Sequence, residues 1–137
     1  MKNLLIVDDE KLLVENMTFI LAPYTSKIFT GFNGNEGLNV LESEDIHCVI
    51  CDISMPIMNG VEFIIEARKR GHDMPFIFFS AYGSPELKQE VSKYGAFDFL
   101  SKPDFKDLEA VVLRGLREGF KCENQKLLEK LQNQKDA

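Results

Sequence analysis

Short, mostly apolar runs alternate along the whole chain with segments whose apolar residues recur every three or four positions. An apolar run of this length predicts a strand that is buried on both faces. The recurrence of apolar residues every three or four positions in the segments between the runs predicts helices. The predicted strands are residues 4–7, 27–32, 47–51, 75–79 and 97–100. Strands and helices that alternate in this way form a parallel sheet with helices on both faces. We therefore expect an α/β fold with a doubly wound, five-stranded parallel sheet.

The predicted helices have recognisable ends and inward faces. Ser84 followed by Pro85 predicts the N-cap and first position of the fourth helix. The third helix is expected to carry Val61, Ile64 and Ile65 inward. The fifth is expected to begin near Asp104, and its inward stripe is predicted to be Leu108, Val112, Leu116 and Phe120.

Length and composition limit the classes of protein to which the chain can belong. Its 137 residues correspond to one domain, and its formal charge of −6 argues against direct nucleic-acid binding by this segment. No apolar stretch reaches the roughly 20 residues that a membrane helix requires, so we expect no membrane association. Three cysteines without a secretory signal indicate a reducing cytoplasm.

Two cysteines and two histidines have ordinary structural explanations. Cys48 and Cys51 have the spacing of a zinc or redox pair, but residues three apart in a strand point to opposite faces. We therefore interpret both as core residues. His47, which opens the predicted third strand, and His72, which follows a helix-ending glycine, are interpreted as polar boundary residues.

Polar side chains stand directly after four of the predicted strands. Asp8, Asp9 and Glu10 follow the first strand, and Asp52 follows the third. In the flavodoxin-like strand order 2-1-3-4-5 these two strands are neighbours, so the carboxylates of Asp8, Asp9 and Asp52 crowd together at the sheet edge where such folds bind ligands. Crowded carboxylates repel one another unless a cation is bound, and hard oxygen ligands suit Mg²⁺. Any one of these acids could be a helix cap, but their coincidence predicts a Mg²⁺ site.

The fourth and fifth strands add a hydroxyl and a cation to the same edge. Ser80 follows the fourth strand, and Lys102 follows the fifth. A lysine can pair with Asp52 at rest and with a phosphoryl oxygen once one arrives, and the hydroxyl can donate to another oxygen. Metal, lysine and hydroxyl together predict transfer of a phosphoryl group to a carboxylate.

These residues resemble the motifs of bacterial two-component response regulator receiver domains, which are CheY-like and flavodoxin-like in fold. The resemblance covers about residues 1 to 120. The motifs are Asp8-Asp9, Asp52 with Met55-Pro56 and Asn59-Gly60, Ser80-Ala81, and Lys102-Pro103.

The resemblance implies a role for each motif residue. Asp52 is expected to be the phosphoacceptor, with Ser80 and Lys102 contacting the phosphoryl group. Asp9, Asp52 and the backbone carbonyl of Ser54 are expected to bind Mg²⁺, with Asp8 nearby, acting through water. The expected phosphodonor is a histidine kinase or a histidine phosphotransfer protein. The peptide bond between Lys102 and Pro103 is commonly cis in the family.

Two positions depart from the family pattern. Phe99 stands where a tyrosine or phenylalanine often acts as a rotamer switch, and here it is either a core aromatic or a switch that works by packing alone. Tyr82, two residues after the switch hydroxyl, is hypothesised to slow loss of the phosphoryl group by obstructing the attacking water.

The C-terminal part of the chain suggests how a signal leaves the domain. Movement of Ser80 and Lys102 toward added negative charge would shift the fourth and fifth strands and helices, so the output face is expected there. Residues 1–120 are predicted to form the receiver domain. Residues 121–137 are predicted to be a helical extension or the start of a linker to an output domain absent from this chain, and a solvated tail is the alternative. A homodimer could form through the output face or the C-terminal helix.

An enzyme is the rival interpretation. A Mg²⁺-dependent phosphatase with an aspartyl-phosphate intermediate usually has its nucleophile and a second acid two residues apart after the first strand. Here the acidic pair is adjacent, and Asp52 follows the third strand. We therefore expect a phosphoacceptor that at most catalyses its own phosphorylation and dephosphorylation.

Overall fold

The computed structural model describes residues 2–81, 83–102 and 105–135. Within these ranges, five strands and five helices alternate, as predicted, and a short 3-10 turn at Ala22–Tyr24 follows the first helix. The strands are β1 (Asn3–Val7), β2 (Lys27–Gly31), β3 (Cys48–Cys51), β4 (Phe76–Ser80) and β5 (Asp98–Ser101). The helices are α1 (Lys11–Leu21), α2 (Gly34–Ser43), α3 (Gly60–Lys69), α4 (Pro85–Ser92) and α5 (Leu108–Lys135).

All neighbouring strands are parallel, and their order is β2-β1-β3-β4-β5. This confirms the predicted doubly wound sheet. Val7, the last residue of β1, pairs with Cys51, the last residue of β3. The next residue of each strand therefore emerges at the same edge, and those residues are Asp8 and Asp52.

The sheet is covered on both faces. One core cluster contains Leu38 of α2, Phe63 of α3 and Val91 of α4, and the other contains Met17 of α1 and Val112 of α5. Burying a single large apolar side chain contributes about 1.5–3 kcal/mol, so these two layers are the main stabilising feature of the fold.

Cys51 belongs to the first core cluster and Cys48 to the second. They therefore lie on opposite faces of β3, as predicted for residues three apart in a strand, and both are fully buried. Burial raises the pKa of the Cys48 thiol to about 12. The pair is a structural part of both cores.

Side chains at the N-cap positions cap the starts of α3 and α4. Ser84 accepts a hydrogen bond from the amide of Leu87, with Pro85 at the first helical position, which confirms the predicted start of α4. Asn59 and Glu62 form a capping box at the start of α3.

The inward face of α3 was only partly predicted. Ile64 is buried, but Phe63 and Ala67 are the other fully buried side chains beyond the first turn, whereas Val61 and Ile65 are half-buried. The close approach of Gly60 to β3 sets the rotation of the helix, because a Cβ atom there would overlap the carbonyl oxygen of Asp52. The residues three and seven positions after Gly60 consequently face the sheet.

Helix α5 is continuous from Leu108 to Lys135 and passes without a break through residue 120. Its predicted inward stripe is buried at Leu108, Val112 and Leu116 and half-buried at Phe120. The predicted start at Asp104 lies outside the described residues. Beyond Phe120, three leucines of the helix are at least half exposed: Leu127, Leu128 and Leu131.

Contacts at the amino end of β3 join α5 to the base of the sheet. His47 is 4% exposed, and its Nδ1 accepts a hydrogen bond from the amide of Asn3 at 2.9 Å. Nε2 therefore carries the ring proton and donates a hydrogen bond to the carboxylate of Glu123 in α5. The backbone of Gly119 lies against the His47 carbonyl, and Lys126 pairs with Asp73 at 2.8 Å.

The interpretation of His47 as a simple polar boundary residue was wrong, because its partner lies 76 positions away in the sequence. His72 is half-buried and contacts Glu42 at 3.2 Å. Within the described ranges, no helix is long and apolar enough to cross a membrane.

Candidate functional site

The first residues after β1 and β3 bring two carboxylates together. The amide of Asp8 donates to the carbonyl of Gly31, and the amide of Asp52 donates to the carbonyl of Val7, each at 3.0 Å. These bonds continue the sheet ladder by one residue and leave both side chains buried, with 2% exposure for Asp8 and 5% for Asp52. Buried carboxylates require a compensating positive charge.

Lys102 supplies that charge. Its Nζ lies 2.8 Å from Oδ2 of Asp8, 3.1 Å from Oδ2 of Asp52 and 3.2 Å from Oε1 of Glu10. Its side chain is 8% exposed. The amide of Lys102 donates to the carbonyl of Ser80 at 3.0 Å, which fixes the lysine where β4 and β5 end. The predicted pairing of Lys102 with Asp52 is confirmed.

Burial and pairing act in opposite directions on the protonation of this cluster. Burial raises the pKa of Asp8, against hydrogen bonds from Lys102 and the Glu10 amide that lower it. Burial alone would lower the pKa of Lys102, but the bonds and charges of Asp8 and Asp52 raise it to about 12. Lys102 is therefore fully charged at neutral pH.

Three carboxylates of the described residues can offer oxygens to one cation. Asp8, Glu10 and Asp52 each place an oxygen within 4.8 Å of the others. A set of carboxylate oxygens with open positions for water is the chemistry that suits Mg²⁺, so the residues fit the predicted metal.

The structure groups Glu10, rather than Asp9, with Asp8 and Asp52. Asp9 is exposed in the turn before α1, and Ser54 is exposed in the loop after β3. Their assignment as Mg²⁺ ligands stays a prediction. Glu10 was missed because a third acid after Asp8-Asp9 looks like an ordinary helix start.

The two oxygens of Asp52 have different partners. Oδ1 accepts a hydrogen bond from the amide of Ile53 at 2.7 Å, and Oδ2 contacts Lys102. The amide of Gly60 donates to the carbonyl of Ile53 at 2.9 Å, which closes the loop between β3 and α3 against the strand. The phosphoacceptor predicted from the sequence is thus held by local backbone on one side and by Lys102 on the other.

The same loop contains a strained residue. Ile57 has a φ of 70° and is 77% exposed, and the amide of Met58 donates to the carbonyl of Pro56 at 2.7 Å across it. This is a γ-turn with a β-branched residue in the left-handed region, a conformation that costs roughly 1–3 kcal/mol. Strain of this kind clusters at functional sites.

Ser80 and Phe99 complete the described surroundings. Ser80 ends β4 and is 1% exposed. The Phe99 ring stacks on that of Phe78 with centroids 6.0 Å apart, and the Lys88 ammonium lies 5.5 Å from its centre. Phe99 is thus packed against the sheet here, and its role as a switch stays a prediction. Tyr82 and Pro103 lie outside the described residues.

Comparisons with known proteins agree with this geometry. Residues 4–113 match the family model described as the response regulator receiver domain. The chain is 35% identical over 105 residues to the transcriptional regulatory protein GlrR of Escherichia coli, covering 77% of this chain but only 24% of GlrR. It therefore spans about a quarter of the length of that relative.

Solved structures of receiver proteins have the same fold. A CheY-like receiver domain protein of Methanospirillum hungatei is 29% identical with a TM-score of 0.81, over 88% of this chain and 98% of that one. The response regulator protein TrrA of Thermotoga maritima, solved in complex with Mg²⁺ and BeF, is 32% identical with a TM-score of 0.74. That match covers 85% of this chain and all (100%) of the TrrA chain.

Proposed function

Because the chain belongs to the response regulator receiver domain family, we propose that it is a signalling switch in which Asp52 accepts a phosphoryl group. The observation that carries the proposal is the buried Asp52 carboxylate, whose Oδ2 shares the Lys102 ammonium with Asp8. Receiver domains are signalling phosphoacceptors and are not generally classed as enzymes. The phosphatase alternative receives no support from the comparisons.

In the proposed reaction an oxygen of Asp52 attacks the phosphorus of the donor. The bond from phosphorus to Asp52 forms as the bond from phosphorus to the leaving group breaks, so the donor departs with that electron pair. Lys102 moves its ammonium from Asp52 toward a phosphoryl oxygen, and the Ser80 hydroxyl donates to another. The Ile53 amide holds Oδ1 and orients the carboxylate.

The acidic residues around Asp52 would hold the metal. Asp8 and Asp52, with Asp9 and the Ser54 carbonyl as the family resemblance implies, are the proposed ligands. A bound Mg²⁺ supplies positive charge that stabilises the oxygens of the transferring group. The donor set of Asp8, Glu10 and Asp52 and the Mg²⁺ complex of TrrA support this cofactor.

The family interacts with histidine kinases or phosphotransfer proteins, and we propose one of these as the donor. The relatives named as transcriptional regulators suggest an output in gene control, mediated by parts of a longer protein. All three cysteines are free, which supports the proposed cytoplasmic location.

The function is tested with acetyl phosphate and Mg²⁺, followed by intact mass measurement. The wild-type chain should gain one phosphoryl group, which chelation of Mg²⁺ should prevent. Asp52→Asn should abolish the adduct. Asp45→Asn, an exposed acid before the other end of β3, should leave it unchanged. A wild-type protein that gains no phosphoryl group, or an Asp52→Asn variant that still does, contradicts the proposal.

We also propose that residues 1–120 form the receiver domain and residues 121–137 a helical extension leading toward an output domain. The exposed Leu127, Leu128 and Leu131 support the extension as a pairing surface, with the face of β4, α4, β5 and α5 as the other candidate for a homodimer. Sedimentation with and without beryllofluoride, for wild type and Leu127→Gln/Leu131→Gln, tests the first surface. Dimers that persist in the double variant assign pairing to the other face.

A further inference from the structure

The side chain of Glu10 contacts Lys102 at the phosphorylation site and does not cap its own helix. Glu10 occupies the N-cap position of α1, yet its side chain makes no capping hydrogen bond. Oε1 instead lies 3.2 Å from Nζ of Lys102, across 92 positions of sequence. The Glu10 side chain is 62% exposed, so this contact is the outermost of the three that Lys102 makes with carboxylates of the described residues.

Lys102 and a divalent cation compete for the same carboxylates. The ammonium contacts Oδ2 of both Asp8 and Asp52, and these two residues supply two of the three carboxylates that can converge on a metal. Two cations at such short range repel each other strongly in a buried site. Metal binding therefore requires Lys102 to leave at least one of these carboxylates.

A lysine that leaves the carboxylates needs another counter-charge if it is to stay near the phosphorylation site. Glu10 is the third carboxylate already in contact with Nζ, and its side chain reaches the ammonium from the solvent side. The backbone of Glu10 is fixed independently, because its amide donates to Oδ1 of Asp8 at 3.0 Å. The side chain is thus free to follow Lys102 while its backbone stays in place.

We propose that Glu10 is a positioning residue that retains Lys102 at the mouth of the site while the metal takes Asp8 and Asp52. The inference rests on the proposed function of the Asp52 site. Glu10 lowers the cost of displacing Lys102 and keeps the ammonium within reach of an incoming phosphoryl oxygen. The competing role is that of a direct metal ligand, which acts without Lys102.

Glu10→Gln removes the charge but keeps the length of the side chain. Among the described residues, Lys102 then keeps only Asp8 and Asp52 as carboxylate partners, so the metal must compete harder for them. We expect the dissociation constant for Mg²⁺ to rise about tenfold, a coupling in the usual range for charges in direct contact. Glu15 is an exposed acid on the same helix, and Glu15→Gln makes the same change in net charge. It should alter the dissociation constant for Mg²⁺ less than about twofold.

A double-mutant cycle separates the two roles. Mg²⁺ binding is measured by calorimetry, without a phosphodonor, for Glu10→Gln in the wild-type and Lys102→Met backgrounds. A positioning role predicts that the tenfold loss disappears in the Lys102→Met background. An equal loss in both backgrounds overturns the proposal in favour of a direct ligand, and no loss in the wild-type background overturns both roles.

Two further measurements keep the test decisive. Lys102→Gln serves as the second background if Lys102→Met does not fold, as judged by circular dichroism. At saturating Mg²⁺, Glu10→Gln should also accept the phosphoryl group from acetyl phosphate more slowly, because Lys102 is less well held. Since the cycle uses metal binding alone, failure of phosphorylation in the wild-type chain would reject the proposed function and leave the result for Glu10 interpretable.

Discussion

Buried polar side chains at the two ends of β3 are paired in different ways. At the amino end, each ring nitrogen of His47 meets its own partner, the amide of Asn3 or the carboxylate of Glu123. At the carboxyl end, Asp52 and two other carboxylates share the single ammonium of Lys102. At the amino end both ring nitrogens have hydrogen-bond partners of their own, whereas the carboxyl end is left with excess negative charge.

This difference separates anchoring from response. The contacts of His47 with Glu123 and of Lys126 with Asp73 hold α5 against the base of the sheet at the amino end. The surplus of carboxylates at the other end is relieved by an added cation, and the lysine can change partners. The strained Ile57 lies on the same side, in the loop after Asp52. Functional sites commonly retain destabilising features such as crowded charges and backbone strain, because activity depends on them.

Removing the shared ammonium should produce the largest effect. Lys102→Met leaves Asp8 and Asp52 buried without a counter-charge, so the free energy of unfolding at neutral pH without Mg²⁺ should fall by about 3 kcal/mol. Urea unfolding measures it. Lys93→Met removes the same charge from an exposed pair with Glu90 and should cost less than about 0.5 kcal/mol. Equal losses of unfolding free energy in the two variants would show that the buried carboxylates do not depend on the Lys102 charge more than an exposed pair does.

The alkaline pH dependence follows from the same pair of variants. The folded-state pKa of Lys102 is raised from 10.5 to about 12, so its stabilisation is fully present below pH 10.5 and is lost as pH rises through 12. The stability difference between wild type and Lys102→Met should be constant from neutral pH to 10.5 and shrink above it. A difference unchanged at pH 12 would contradict this assignment.

Replacing the closely packed glycine at either end, Gly60 or Gly119, by alanine should have an intermediate effect on the free energy of unfolding. An added Cβ at Gly60 would overlap the Asp52 carbonyl oxygen, and one at Gly119 would overlap that of His47. Gly→Ala inside a helix ordinarily stabilises by up to about 1 kcal/mol, but here overlap should dominate, for a net loss of about 2 kcal/mol in each variant.

The two glycine variants should differ in phosphorylation. Gly60→Ala displaces the backbone of Asp52 and should slow acceptance from acetyl phosphate, whereas Gly119→Ala should not. Glu118→Ala, exposed beside Gly119, is the control for stability and should stay within about 0.5 kcal/mol of wild type. Equal slowing in Gly60→Ala and Gly119→Ala would remove the functional distinction between the ends.

Relieving the strain at Ile57 should produce the smallest change, and of opposite sign. Asparagine tolerates the left-handed region, so Ile57→Asn should raise the free energy of unfolding by about 1 kcal/mol, measured by urea unfolding. Ile57→Val keeps a β-branched side chain and should give no gain. An equal gain from valine would mean that the exposed apolar surface, rather than the backbone conformation, is the cost.

The strands and much of the site were predictable because both depend on local pattern. Buried parallel strands are marked by apolar runs, and a residue that directly follows such a run emerges at a known edge of the sheet. Asp8, Asp52, Ser80 and Lys102 could therefore be placed together from their positions alone. The pairing of Lys102 with Asp52 followed from the same reasoning.

The rotation of α3 and the surroundings of His47 were not predictable in this way. Ile65 is as apolar as Phe63, so the contact of Gly60 with the residue after β3 decides which of the two is buried in the core. His47 looks like a polar boundary residue until α5 returns to the base of the sheet and brings Glu123 to its ring.

The sequence by itself determined the five parallel strands and the edge at which the acidic residues gather, and the structure confirmed the strand order expected of such a fold. Only the tertiary structure decided that Glu10, rather than Asp9, turns toward Lys102, and that α5 is tied to the amino end of β3. The physical reason is that strand periodicity fixes the edge on which a side chain emerges, whereas the choice among adjacent carboxylates depends on where a cation from a distant strand finally lies.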